Sequence, residues 1–204
     1  MKQERREPRA RPRRVRTRES VASCRARSRP CARQGCGGFP LGRLLPGAEV
    51  SGLVARFLEN GRFRERFRTA PASEQHHSYA GGLIEHTVAV TALCREAAQM
   101  HPRLNGDLLL AAALLHDVGR TETFRQGVTI AVSDEGRLIG HVLAGVRMID
   151  GVAREVGLDE PVLLPLLGAV AGHHGPLEGR RLETPEAVCL YQANQLDARV
   201  AESL

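Results

Sequence analysis

Residues 47–69 place Val50, Leu53, Val54, Phe57 and Leu58 three or four positions apart, the stripe of an amphipathic helix. Asn60-Gly61 breaks that pattern, and a short helix carrying Phe63 and Phe67 follows, packed as ordinary core. Pro71 marks a loop, which holds His76 and His77 and leads through Gly81-Gly82 into a helix from Leu83. Leu83, Val90 and Leu93 recur at core spacing there, with His86 one turn in. Beyond Met100-His101-Pro102, the run Leu-Leu-Leu-Ala-Ala-Ala-Leu-Leu over 108–115 is apolar on every side, as a core helix is. It ends in His116-Asp117, and Gly119 suits the helix end. Val128, Ile130 and Val132 alternate, which predicts a small ribbon or an extended loop, with Asp134-Glu135-Gly136 as its turn. A helix is expected from Leu138 through about Val156. Pro161 and Pro165 bracket a Leu-rich stretch that ends in Ala-Gly-His173-His174-Gly, and Thr184 or Pro185 opens a last helix to about Ser203. The pattern predicts an all-α bundle with at most a small β-ribbon.

Composition separates a tail from a body. Residues 1–47 carry 13 Arg and one Lys against Glu4, Glu7 and Glu19, while the remainder carries 15 Arg against 20 acidic residues. The net charge of +6 is therefore a property of the tail, and the body is mildly acidic. Rich in Arg, Pro, Ser and Gly, residues 1–46 are expected to be a disordered basic arm, and 47–204 one domain. Such an arm suits contact with nucleic acid through counterion release, or is simply solvated. Aromatic residues make up 3% of the chain, so Leu, Val and Ala must build the core. Cys94 and Cys189 lie in helical runs as free thiols, while the uneven spacing of Cys24, Cys31 and Cys36 makes a weak zinc candidate and favours unligated thiols. Without an apolar run of membrane length or a secretory signal, the expected setting is the cytoplasm.

Chemistry concentrates in the histidines. His86, His116, His141, His173 and His174 each sit in an apolar or Gly-rich setting, with Asp117 beside His116. Burying such groups unpaired is costly. Imidazole with carboxylate suits divalent transition metals, so the simplest reading is one metal centre fed by several helices. His141, near a helix start, faces the positive end of the dipole, which keeps its nitrogen free of protons.

The order of these residues resembles the HD superfamily of metal-dependent phosphohydrolases. The segments HHSYAGGLIEHT, LLHDVGR, GRLIGH, GHHG and TPEAVCLYQANQLDA are similar to the HD domain of YhaM-type 3′–5′ exoribonucleases, over roughly residues 50–204. The resemblance implies an HD helical bundle with one or two divalent ions, whether Mn2+, Fe2+, Co2+ or Ni2+. It assigns His86, His116 and Asp117 to a first ion, with Asp117 bridging, and His141, His173 and His174 to a second. Two such ions clamp a phosphate and activate water. Arg120 stands where the family has Lys and offers a planar fork to phosphate oxygens. His77 and Asp197 are expected as supporting groups. The chain departs from the family at Asn194, where the family carries a metal-binding Asp, so the first site is expected to be weakened. It also shows no alternating strands before the HD segment for the oligonucleotide-binding barrel usual in that family. No Gly-Tyr-Pro follows His116-Asp117, which disfavours the cyclic-dinucleotide branch. Three functions remain: a hydrolase shortening RNA from the 3′ end, a phosphohydrolase of free nucleotides, or a non-catalytic nucleic-acid-binding module.

Overall fold

The computed structural model describes residues 48–125, 131–176 and 181–204. The basic arm, Val128 and Ile130 lie outside them. The elements are α1 (Ala48–Glu59), α2 (Gly61–Thr69), α3 (Gly82–Met100), α4 (Gly106–Leu115), α5 (Arg120–Thr123), β1 (Phe124–Arg125), β2 (Ala131–Val132), α6 (Asp134–Leu138), α7 (Gly140–Val156), α8 (Glu160–Ala171) and α9 (Pro185–Ser203). The architecture is helical, as the periodicity predicts.

The apolar run forms α4, and its composition explains its place. With no polar face to offer water, it is wrapped by α1, α3, α8 and α9. Leu108, Leu109, Ala111, Ala112, Ala113 and Leu115 are all buried. Ala at three of these positions lets neighbouring helices approach closely. The start of α4 is capped twice: Asn105 Oδ1 accepts from Leu108 N at 3.1 Å, and Glu186 Oε1 on α9 accepts from Asn105 N at 2.7 Å. Thr184 caps α9 by accepting from Ala187 N at 3.1 Å, with Pro185 at the first position.

Three expectations change. Asp134-Glu135-Gly136 is not a turn but the opening of α6, because Ser133 Oγ accepts from Gly136 N at 3.0 Å and caps a helix. The helix expected from Leu138 starts instead at Gly140, whose φ of +77° separates α6 from α7 in a conformation L side chains rarely adopt. Gly119 has helical backbone angles, so it is no left-handed cap. Its hydrogen replaces a Cβ that would run into the His141 carbonyl of α7. That close approach brings α7 against the turn carrying Asp117. The ribbon is minimal: Phe124 pairs with Val132 and Arg125 with Ala131, antiparallel. Cys94 is buried, Cys189 half-buried, and both are free thiols. No described helix is long and apolar enough to cross a membrane.

Candidate metal centre

Five elements and one loop deliver the functional side chains to one end of α4. His86 lies on α3, and His116 and Asp117 on the turn leaving α4. His141 is at the start of α7, and His173 and His174 follow α8. Asn194 and Asp197 share one face of α9. The turn after α4 is tightened by i to i+3 bonds, Val118 N to Leu115 O at 3.2 Å and Arg120 N to Asp117 O at 2.9 Å.

The hydrogen bonds around each ring assign its tautomer. His116 Nδ1 donates to Ala113 O at 2.8 Å, and His173 Nδ1 donates to Val170 O at 2.5 Å. His86 Nδ1 donates to Asp197 Oδ2 at 2.6 Å. Each of the three rings is thereby left with a bare lone pair on Nε2. Asn194 Nδ2 donates to His173 O at 3.0 Å, which turns its Oδ1 inward. His86 Nε2 then lies 3.2 Å from His116 Nε2 and 3.0 Å from Asn194 Oδ1. Three acceptors converge with no proton among them. Facing lone pairs repel unless a cation lies between them, so this donor set fits a metal ion.

A second nest lies beside the first. His141 Nε2 is 2.8 Å from His174 Nε2 and 3.3 Å from Asp117 Oδ1. His173 Nε2 is 3.5 Å from the same oxygen and, among the described residues, has no hydrogen-bond partner. The other Asp117 oxygen, Oδ2, lies 3.7 Å from His116 Nε2 and 3.9 Å from His86 Nε2. One carboxylate thus faces both nests. Both sets, His86-His116-Asp117 and Asp117-His141-His173-His174, bring their ligand atoms close enough to hold an ion.

Electrostatics keep His116, His141, His174 and Asp117 in the ligating form. Burial drives the His116 ring well below its ordinary value, takes His141 down to about 3 and takes His174 down to about 4. Burial rather than the helix dipole is the main cause at His141. Burial opposes the charge of Asp117, but the Arg120 guanidinium beside it holds its carboxyl well below the usual range. Arg120 Nε stands 3.4 Å from Asp117 Oδ1.

His77 and Asp197 lie behind His86. Asp197 Oδ2 also accepts from His77 Nε2, at 3.0 Å. Tyr79 OH donates to Glu85 at 2.6 Å, so its oxygen accepts from His77 Nδ1 at 3.1 Å. Both His77 nitrogens donate, and the hydrogen bond to Asp197 raises the ring above its ordinary value. Burial works against the Asp197 charge, yet the bonds from His77 and His86 hold its carboxyl below the usual range. Asp197→Asn keeps the shape but removes the charge that sets the His86 tautomer. The expected result is a ~10–100-fold loss of Mn2+ affinity in calorimetric titration. Unaltered affinity would show that Asp197 does not orient His86.

His76 is the residue that sequence reasoning passed over in favour of His77. It is buried and lines a cavity of 240 Å³ with Arg120, His141 and His174. The sequence signal is the adjacent pair His76-His77, which matches a His-His pair of the resembled family; the Ser73 hydroxyl pins the His76 backbone.

The HD-domain family model matches residues 83–199. The chain is 31% identical over 150 residues to the 3′-5′ exoribonuclease YhaM of Bacillus subtilis (strain 168), covering 72% of this chain and 48% of that one. The YhaM protein of Oceanobacillus iheyensis is 31% identical over 156 residues, 74% of this chain and 49% of its own. That of Bacillus licheniformis is 33% identical over 150 residues, 72% and 48%. The chain spans about half the length of these relatives. No solved structure matches it significantly. A match across all the helices that bring the histidines together shows that the chain belongs to the HD-domain family.

Proposed function

We propose that the chain is a metal-dependent phosphodiesterase that shortens RNA from its 3′ end. One observation carries the reading: a buried carboxylate, Asp117, faces two nests of imidazole nitrogens, and His141 and His174 of the second nest line a cavity together with Arg120. The relatives named as 3′-5′ exoribonucleases supply the substrate class.

His86, His116, Asp117 and Asn194 would hold one divalent ion, and Asp117, His141, His173 and His174 a second. Bound ions of this kind polarise a phosphoryl group and lower the proton affinity of water, so attack proceeds at neutral pH. The chain's own residues do the rest. Asp117 balances positive charge shared between the two sets. Arg120, at the cavity wall, orients phosphoryl oxygens and offsets the charge that builds on them. The rings of His86, His116 and His173 are shut off from bulk water, which strengthens the interactions made there.

A second reading has its own support. The cavity of 240 Å³ is below the usual size for small-molecule sites, which favours a terminal nucleotide or a free nucleoside phosphate over an extended strand. The deciding experiment incubates the chain with 5′-labelled single-stranded RNA and, separately, with nucleoside phosphates, each with Mn2+, Fe2+, Co2+ or Ni2+. Stepwise shortening from the 3′ end is expected. Turnover of free nucleotides alone would select the phosphohydrolase, and no turnover with any ion would leave a binding module.

A further inference from the structure

We propose that His76 contacts the substrate, donating a hydrogen bond from its ring to the phosphoryl group held beside Arg120. The inference rests on the phosphohydrolase reading and adds to it a residue outside the two ligand sets.

Three observations lead to it. First, His76 Nδ1 is buried and has no hydrogen-bond partner among the described residues. A buried polar atom left unpaired in a folded chain calls for an explanation, and a bound ligand is one. Second, the residue shares the wall of the 240 Å³ cavity with Arg120, His141 and His174, where a phosphoryl group would meet the second ligand set. Third, the ring is held on a rigid support. Ser73 Oγ accepts from His76 N at 2.8 Å and donates to His76 O at 3.0 Å, so one hydroxyl engages both backbone groups. The next residue is fixed as well, with His77 O accepting from Ala72 N at 3.2 Å. A donor set on such a turn needs little reorganisation when substrate arrives.

His76 is not better explained as a metal ligand. Its nearest imidazoles are His86, with ring centres 5.1 Å apart, and His77, at 5.8 Å. The three rings do bring ligand atoms within 4.8 Å of one another, but His86 Nδ1 and both His77 nitrogens are already engaged, by Asp197 Oδ2 and Tyr79 OH, and His86 Nε2 faces the first ligand set. A directional donor beside the Arg120 guanidinium adds orientation to the grip on phosphate.

The test uses the full chain loaded with Mn2+ and two variants. His76→Phe keeps the ring volume and removes both nitrogens, while His76→Asn restores an N–H donor. Inorganic phosphate binding is measured by calorimetry, Mn2+ stoichiometry by elemental analysis, and hydrolysis with bis(p-nitrophenyl) phosphate. His76→Phe is expected to bind Mn2+ in full, to bind phosphate about tenfold more weakly, and to hydrolyse the diester more slowly. His76→Asn should recover most of the phosphate affinity. Equal phosphate affinity in all three proteins overturns the proposal, as does loss of Mn2+ from His76→Phe or a wild type that binds no phosphate. A wild type that binds phosphate through His76 but cleaves no diester would retain this contact and sink the hydrolase reading instead.

Discussion

Asp117→Asn is expected to lower bound metal from two ions to fewer than one per chain, and diester hydrolysis by on the order of 10³-fold. Asp117 is the one carboxylate that faces both ligand sets among the described residues, with Oδ1 toward His141 and His173 and Oδ2 toward His86 and His116. The imidazoles supply lone pairs but no charge, so a pair of divalent cations depends on this side chain for direct compensation. Asparagine keeps the volume but loses the charge, and its NH2 would direct a donor at one nest. The protein without metal should tolerate the change better, because Arg120 would lose its partner at the rim of the site, where water can reach it. Elemental analysis after exhaustive dialysis, paired with bis(p-nitrophenyl) phosphate turnover, reads both effects. Two ions per chain in the variant would remove Asp117 from the bridging position.

Asn194→Asp should act in opposite directions with and without metal. Asn194 is buried, its Oδ1 turned to His86 Nε2 and its Nδ2 donating to the His173 carbonyl. Aspartate at this position sets a second oxygen against that carbonyl and buries a charge beside bare nitrogens. Without metal the variant should lose ~1–3 kcal/mol, the range for a buried polar group left unpaired. With Mn2+ the added charge falls on the His86-His116 set, where a neutral amide is the weaker ligand, and affinity there should rise ~10–100-fold. Thermal unfolding in chelator and in Mn2+ separates the two: the midpoint should fall in the first and climb further above it in the second than wild type does. If metal shifts both proteins equally, Asn194 does not touch the ion, and the assignment of the first set fails.

Local pattern made most of the helices legible. The stripe from Val50 to Leu58 is α1, the all-apolar run is α4, and Thr184-Pro185 opens α9. These succeed because periodicity and caps are properties of neighbouring residues. The boundaries of α6 and α7 turn on the local Ser133 cap and the Gly140 backbone; what the sequence could not show about the site comes from contacts between distant residues. Gly119 looked like a helix end, and only the crossing of α7 explains it. His76 and His77 are equivalent neighbours in the sequence, and only the fold separates them, turning His77 to Asp197, 120 positions away, and setting His76 in the cavity wall.

The residue types that can ligate a metal, and the helices that carry them, are written in the chain itself. Their order along it resembles the HD family, and the family model confirms that membership. Only the folded chain decides which nitrogen of each ring is bare, because that depends on a partner: Ala113 O for His116, Val170 O for His173 and Asp197 for His86. It likewise decides that Asp117 divides its oxygens between two nests. Periodicity tells a side chain which way to face, but a tautomer and a shared carboxylate are settled by what packing brings within hydrogen-bond reach.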